Sequence, residues 1–172
     1  NGHSDVIGGV IVTNDKEIGE KLHYLQMSVG AVPGPFDCWL TQRSIKTLHL
    51  RMPRHDENGR EVAKYLNECK KIKKVYYPGL KEHPHYELAI RQQLDPMGVH
   101  GFGAMVSIDL ESFERAEKFI KKLQIFILAE SLGGVESLIC HPAKMTHASM
   151  PKEKRNKIGI SDGLLRLSVG VE

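Results

Sequence analysis

The spacing of the apolar residues is the feature that most constrains the fold of this chain. From about residue 56 onward, segments whose apolar residues recur every three to four positions alternate with short segments in which every second residue is apolar. The first spacing is typical of amphipathic helices and the second of strands with one buried face. We therefore predict an α/β or α+β domain, and spacing alone leaves parallel and antiparallel pairing open.

Helices are predicted where the longer spacing coincides with capping residues or chain breaks. The predicted helices cover residues 15–29, residues 37 to about 51, and residues 56–69, 83–93, 112–123 and 151–159. Ser112 is the expected N-cap of the fifth of them. Pro53 marks an expected interruption or kink, because proline removes a backbone donor within a helix. We place a domain boundary there, between residues 1–52 and residues 53–172.

Strands are predicted at residues 75–77, 104–109, 125–129 and 165–169. The longest apolar runs, such as residues 125–129, are far shorter than the roughly 20 residues that a transmembrane helix needs. No membrane partner is therefore expected.

Composition excludes several other classes of protein. The 172 residues suffice for one domain with a sizeable core, or for one domain and part of another. The net charge of +3 comes from interleaved acidic and basic residues, which argues against a nucleic-acid partner. Three widely separated cysteines favour a reducing compartment, so we expect a cytoplasmic protein. Because the chain starts at Asn1 without a targeting signal, we expect it to be processed or to lack its front part.

Arg166 is the most unusual residue of the chain, because it lies in a predicted strand between Leu165 and Leu167. Burying a guanidinium group costs free energy unless an anion neutralises it. An internal salt bridge or a solvent-facing strand side would explain the residue, and these are the more common cases. The alternative is a ligand carboxylate, which matches the planar guanidinium fork in two parallel hydrogen bonds.

Two further segments could approach a ligand. Residues 131–134 follow a predicted strand and contain two glycines, which allow close backbone approach to an anion or simply a tight turn. Glu130 beside them could be merely exposed. Residues 1–5 are polar and precede the apolar residues 6–12, an arrangement that a loop leading into a strand also explains.

Other chemistries lack the residues that they require. His83 with His85, and Cys140 with His141, offer at most two metal ligands each, so a metal site is rejected. Ser131 lies in no Gly-x-Ser-x-Gly segment, and a hydrolase is therefore unsupported. Glycine-rich nucleotide-binding motifs do not occur in the sequence.

Several segments, in order along nearly the whole chain, resemble the Cys/Met-metabolism pyridoxal-phosphate enzymes. These segments are Asn1-Gly2-His3-Ser4-Asp5-Val6, Pro35-Phe36-Asp37-Cys38, Arg43-Ser44-Ile45-Lys46-Thr47-Leu48, Tyr77-Pro78-Gly79-Leu80, residues 128–138, Met145-Thr146-His147-Ala148 and Leu165-Arg166-Leu167-Ser168-Val169-Gly170. The resemblance is much more specific than any single motif above.

The resemblance implies an α/β protein of the fold-type-I, aspartate-aminotransferase-like class with pyridoxal 5'-phosphate as cofactor. Residues 1–52 would complete the large cofactor-binding domain, and residues 53–172 would form the small C-terminal α/β sandwich domain. The lysine that binds the cofactor would lie three residues before Asn1, so no catalytic residue is expected in this segment. A cytoplasmic homotetramer is the expected assembly.

The resemblance also implies roles for four residues on the substrate side. Arg166 matches the arginine that binds the substrate α-carboxylate, and Ser131 lies in the loop that helps to hold that group. Glu130 matches a position where γ-lyases and γ-synthases carry a carboxylate, and its charge could receive the distal ammonium of cystathionine. Thr146 resembles a threonine of the substrate pocket, although a capping or packing role explains it as well.

The activity implied is a carbon–sulfur lyase that cleaves cystathionine by γ-elimination to cysteine, 2-oxobutanoate and ammonia. Homocysteine and cysteine are further expected substrates. The alternative is γ-replacement on an activated homoserine ester, which Glu130 cannot separate from elimination. A truncated interaction domain without cofactor is the non-enzyme alternative.

Overall fold

The computed structural model describes residues 2–95 and 97–172. Asn1 and Pro96 lie outside the described residues, so the motif that begins at Asn1 and the loop expected around Pro96 are described only in part. The chain separates into two compact units, residues 1–48 and residues 49–172. The predicted assignment of residues 1–52 to a cofactor domain stays a prediction.

The first unit contains two helices, α1 (Lys16–Val29) and α2 (Pro35–Ile45). Asp15 is the N-cap of α1, and its carboxylate accepts a hydrogen bond from the Ile18 backbone N–H at 3.0 Å. Helix α1 buries no residue, and Ile7 and Val10 are 102% and 85% exposed. The strand suggested for residues 6–12 is not formed. A strand needs a paired neighbour to satisfy its backbone, and no described residue supplies one.

The second unit starts with a single long helix, α3 (Leu48–Glu68), which contains Pro53. The predicted interruption at Pro53 is therefore wrong. Pro53 is the sixth residue of α3, and the helix continues past the one backbone hydrogen bond that the proline removes. Arg54, His55 and Asn58 then donate hydrogen bonds to carbonyls of residues 169–172, which holds this part of α3 in place.

A five-stranded sheet forms the centre of the second unit. Its strands are β1 (Lys74–Tyr76), β2 (Met105–Asp109), β3 (Ile127–Leu128), β4 (Leu138–Cys140) and β5 (Leu164–Ser168), in the order β1-β2-β5-β4-β3. All pairs are antiparallel except β3 with β4. Three shorter helices complete the unit, α4 (Tyr86–Gln92), α5 (Phe113–Ile120) and α6 (Lys152–Lys157). None of the described helices is long and apolar enough to cross a membrane.

One face of the sheet carries the hydrophobic core. Alternate residues of the two central strands point into it, with Val106 and Ile108 from β2 and Leu165 and Leu167 from β5. Helices α3 and α5 contribute their small and apolar faces, including fully buried Ala116. Because side chains alternate across a strand, the intervening residues lie on the opposite face. That opposite face carries Arg166.

Most predicted elements are present with shifted ends. Ser112 caps α5 by accepting a hydrogen bond from the Arg115 backbone N–H at 3.3 Å. The strand predicted at residues 125–129 shrinks to β3, a two-residue edge strand. Strand β4 was not predicted, because its three residues are all buried and show no alternation.

Gly59 in α3 allows the helix to approach the start of β2. A Cβ at this position would lie 2.6 Å from the Gly103 carbonyl oxygen and 2.9 Å from the Ala104 Cα. We predict that Gly59→Ala destabilises the protein by about 1–3 kcal/mol, because backbone atoms cannot move aside as a flexible side chain can. Chemical denaturation of the protein carrying this chain measures the change.

Gly19 in α1 is the matched control. Its added Cβ would meet only the Thr13 Cγ2 atom, at 3.8 Å, which is an ordinary contact. Gly19→Ala should therefore be neutral or stabilise by up to about 1 kcal/mol, through helix propensity alone. Equal effects of the two substitutions would contradict the close approach at Gly59.

Candidate functional site

Arg166 occupies the middle of the central strand β5. Its backbone pairs with Ser107 of β2 on one side and with Cys140 of β4 on the other. The buried neighbours Leu165 and Leu167 point into the core, so Arg166 and Ser168 lie together on the opposite face. A strand with hydrogen-bonded neighbours on both sides is a rigid support for a binding group.

The guanidinium of Arg166 is only partly satisfied by protein groups. Its Nη2 atom donates to the carbonyl oxygens of Glu130 and Ser131, at 2.6 and 3.2 Å. Its Nε atom is buried and has no hydrogen-bond partner among the described residues. No carboxylate of a described residue lies within 4.0 Å of the group, so no ion pair neutralises its charge.

This arrangement favours an external anion. A buried donor without a partner costs about 1–3 kcal/mol, and a charged group costs more. Two carbonyl dipoles orient the fork of Arg166 but do not neutralise it. A ligand carboxylate that accepts hydrogen bonds from the accessible part of the guanidinium would neutralise its charge. The internal salt bridge considered from the sequence is therefore absent within the described residues.

The loop after β3 lies against Arg166 through its backbone. Gly133 adopts a left-handed conformation with φ of +72°, which favours glycine. The Gly133 N–H donates to the Ser168 hydroxyl oxygen at 2.8 Å. Glu130 and Ser131, whose carbonyls hold the guanidinium, are both exposed residues.

Thr146 is not joined to this group of residues. It lies in the turn region that follows β4, and its hydroxyl hydrogen-bonds His147 Nδ1 at 2.8 Å. Among the described residues it makes no hydrogen bond to Arg166, Glu130 or Ser131. Its predicted place in the pocket stays a prediction.

Charged residues fix the start of β5. Arg155 of α6 is buried and donates to the Asp162 carboxylate at 2.8 Å, and the Lys152 ammonium lies 2.5 Å from the same carboxylate. Hydrogen bonds from Lys152 and then Arg155 lower the pKa of Asp162 to about 2. His141 Nε2 donates to the Asp162 carbonyl at 2.9 Å, which ties the end of β4 to the segment leading to Arg166.

The residues considered for metal binding do not form a ligand cluster. The rings of His83 and His85 pack edge to face with centroids 5.9 Å apart. Burial lowers the pKa of His83, and the nearby charges of His85 and Lys74 lower it further. Across residues 2–95 and 97–172, no three His, Cys, Asp or Glu side chains lie close enough to hold a metal ion.

Three supporting residues of the site were not found from the sequence. Two of them accept hydrogen bonds from N–H groups of the loop after β3: Ser168 from Gly133 and Glu172 from Ser137. The third, Ser137, accepts one from the Gly170 N–H. Ser168 could have been identified, since it lies two positions after Arg166 and alternation puts both on one face. The contacts of Ser137 and Glu172 depend on chain segments about 35 residues apart in sequence.

These features define an α/β domain that presents an arginine with unsatisfied capacity for a carboxylate. A family model described as Cys/Met metabolism PLP-dependent enzyme matches residues 1–172. The chain belongs to this family, whose members depend on pyridoxal 5'-phosphate. The prediction of the family is confirmed.

Relatives with three different activities are similar to the chain. It is 52% identical to cystathionine gamma-lyase of Bacillus subtilis (strain 168) over 171 residues, which are 99% of this chain and 44% of the relative. It is 53% identical to cystathionine beta-lyase of Lactococcus lactis subsp. cremoris (strain MG1363), covering 99% of this chain and 43% of that protein. The chain therefore spans less than half the length of these relatives.

The fold comparison agrees with the family. The crystal structure of cystathionine gamma synthase from Xanthomonas oryzae pv. oryzae in complex with aminoacrylate and cysteine matches with a TM-score of 0.88 and 49% identity. The match covers 99% of this chain and 43% of that one. The predicted fold-type-I class is confirmed. The roles predicted for Arg166, Ser131, Glu130 and Thr146 stay predictions.

Asp162→Asn should destabilise the protein by about 1–3 kcal/mol at neutral pH, because buried Arg155 loses its counter-charge. The Asp162 side chain is 32% exposed, which reduces the loss. Because the pKa of Asp162 is lowered in the folded state, its stabilisation is complete above the unfolded-state pKa near 3.9. It is lost as the pH falls toward the folded-state pKa of about 2. The difference in unfolding free energy from wild type should shrink over this range, as denaturation at several pH values measures.

Glu117→Gln is the control for that prediction. Glu117 forms an exposed pair with Lys121 on α5, with 47% and 69% of the two side chains exposed. Its loss should cost less than about 0.5 kcal/mol at neutral pH. An Asp162→Asn effect that stays constant below pH 4 would contradict the assigned pKa.

Proposed function

We propose that this chain is the substrate-recognising C-terminal part of a pyridoxal-phosphate enzyme that cleaves cystathionine by γ-elimination. The products would be cysteine, 2-oxobutanoate and ammonia. The observation that carries the proposal is Arg166, a strand arginine that forms no ion pair with any described residue, in a chain of this family. Such a cation fits the α-carboxylate of an amino acid, the group that all these substrates share.

The first unit supports the view that further protein accompanies this chain. Its large apolar side chains, such as Trp39 at 56% and Val29 at 76% exposed, find no core among the described residues. So many exposed large apolar side chains in one unit are typical of a surface that other protein covers. The relatives are more than twice as long as the chain, and the cofactor-binding lysine is expected in the part that precedes Asn1.

The residues of this chain would bind and orient the substrate. Arg166 would donate hydrogen bonds from its guanidinium to the α-carboxylate, while the carbonyls of Glu130 and Ser131 hold the guanidinium plane. A fixed carboxylate fixes the orientation of the α-hydrogen, which contributes to rate by positioning. The bound cofactor supplies the electron sink that makes removal of this hydrogen possible. Ser131 would add a hydroxyl at the rim of the same site.

Within this family, Glu130 favours γ-lyase and γ-synthase activity over β-elimination. It is an exposed residue whose backbone carbonyl contacts Arg166, and its carboxylate could receive the distal ammonium of cystathionine. The similar identities to a γ-lyase and a β-lyase, and the structural match to a γ-synthase, make those two other activities the alternatives. Homocysteine and cysteine are proposed as further substrates.

Product analysis of the protein carrying this chain tests the proposal. Supplied with cystathionine, a γ-lyase releases 2-oxobutanoate and cysteine, whereas a β-lyase releases pyruvate and homocysteine. A γ-synthase instead forms cystathionine from cysteine and an activated homoserine ester. We expect 2-oxobutanoate as the main keto acid. Dominant pyruvate, or net cystathionine synthesis, would replace the γ-lyase assignment by one of the alternatives.

The non-enzyme alternative has its own test. A truncated interaction domain would show the intact mass of this chain alone and no visible absorbance from the cofactor. We expect a longer protein whose visible absorbance disappears on treatment with borohydride.

Arg166→Lys should raise KM for every amino-acid substrate, and kcat/KM should fall about 10- to 100-fold. A lysine ammonium cannot form two parallel hydrogen bonds to a carboxylate, and one charged hydrogen bond is worth about 1.5–3 kcal/mol. Steady-state kinetics with at least two substrates measures the change. Arg91→Lys on the exposed surface of α4 is the control and should leave the kinetics unchanged.

Unchanged kinetics of Arg166→Lys would contradict the assigned role of this residue.

We also propose a cytoplasmic homotetramer, as the family resemblance implies. The mass of the purified protein in solution tests the assembly.

A further inference from the structure

The segment that follows Arg166, residues 168–172, is hydrogen-bonded to the loop after β3 over its whole length. Four hydrogen bonds join the two: Gly133 N to Ser168 Oγ (2.8 Å), Gly170 N to Ser137 Oγ (2.9 Å), Val171 N to Val135 O (2.8 Å) and Ser137 N to Glu172 Oε1 (2.7 Å). Three of them depend on a side chain. The loop whose carbonyls hold Arg166 is therefore held in turn by these side chains.

Helix α3 fixes the other edge of residues 168–172. His55 Nδ1 donates to the Val169 carbonyl at 2.8 Å, and Asn58 Nδ2 donates to the Gly170 carbonyl at 2.9 Å. Arg54 Nε reaches the Val171 carbonyl at 3.2 Å. The N–H groups of the segment thus bind sheet and loop, while its carbonyls bind a helix of the core. Hydrogen bonds on both edges make residues 168–172 a rigid support for the loop after β3.

The Glu172 carboxylate is the charged member of the attachment. Burial raises the pKa of Glu172, but hydrogen bonds from its own backbone and from Ser137 outweigh burial and hold the pKa below its usual value. The group is therefore ionised at neutral pH. Its hydrogen bond to the Ser137 N–H is charge-assisted, and such bonds are about twice as strong as neutral ones.

We propose that Glu172 is a positioning residue for substrate carboxylate binding, acting through the loop of residues 130–137 on Arg166. The inference rests on the function proposed above. Glu172 itself contacts no substrate in this account. It fixes Ser137 at one end of the loop, while Ser168 fixes Gly133 in the middle.

The physical link is the geometry of two carbonyl groups. The 2.6 and 3.2 Å hydrogen bonds to Arg166 come from Glu130 and Ser131, at the other end of the same loop. If the loop is released, these carbonyls no longer hold the guanidinium plane in one orientation. A fork that samples several orientations binds a carboxylate less tightly, because part of the binding free energy goes into ordering it.

The test uses the full cofactor-loaded protein with Glu172→Ala and Glu172→Gln. Glycine is the probe, because it carries the α-carboxylate but has no side chain to eliminate. Calorimetry should show a glycine Kd about tenfold higher for Glu172→Ala. Glu172→Gln keeps an oxygen that can accept from Ser137 N–H, so its Kd should rise only about threefold. For cystathionine, KM should rise in parallel while kcat stays within about twofold.

Hydrogen exchange supplies a readout that does not depend on turnover. The backbone amides of residues 133–137 should exchange faster in Glu172→Ala than in wild type. Glu153→Ala is the control, since Glu153 is exposed on α6 and makes no hydrogen bond among the described residues. It should change neither exchange in the loop nor the glycine Kd.

Two results would overturn the positioning role. Faster loop exchange with an unchanged glycine Kd would leave Glu172 with a structural role only, and unchanged loop exchange would show that Glu172 does not hold the loop. Failure of the proposed function looks different, because a wild-type protein that binds glycine but forms no keto acid from cystathionine contradicts that function alone. A wild-type protein that binds no glycine contradicts both.

Discussion

The positive charge of Arg166 is the constraint around which the rest of the second unit is arranged. Its guanidinium lies in the central strand, and two backbone carbonyls orient it without neutralising it. The group is partly buried, its Nε is shielded from solvent without a hydrogen-bond partner among the described residues, and an unsatisfied buried donor costs free energy. A structure that retains this cost, on a rigid strand and beside an exposed loop, is prepared for an anion that it does not itself contain.

The two faces of the sheet divide stability from recognition. Leu165 and Leu167 of β5 pack into the hydrophobic core. The residues that follow each of them, Arg166 and Ser168, face the loop after β3. The same five-residue strand therefore anchors the domain and carries the proposed binding group. The geometry of the proposed site is inherited from the hydrogen-bonded sheet.

Family membership and activity rest on different features of the chain. Membership follows from similarity over its full length, whereas γ-elimination, β-elimination and γ-replacement differ in how the distal part of the substrate is held. Glu130 is the residue of this chain that we propose acts on this distal part. Relatives of near-equal identity with different activities show that overall similarity does not decide between them.

The sequence alone determined the family, the alternation of helices and strands, and the presence of Arg166 in a strand, because all three follow from local spacing and motifs. It did not determine that Pro53 lies within α3, that residues 138–140 pair as β4, or that no described acidic side chain pairs with Arg166. These features depend on contacts between segments that are distant in sequence. Glu172 and Ser137, 35 residues apart, meet only once the sheet has formed. Tertiary packing can override a local preference at Pro53 and can leave a charge unpaired at Arg166, and neither outcome is encoded in the spacing of nearby residues.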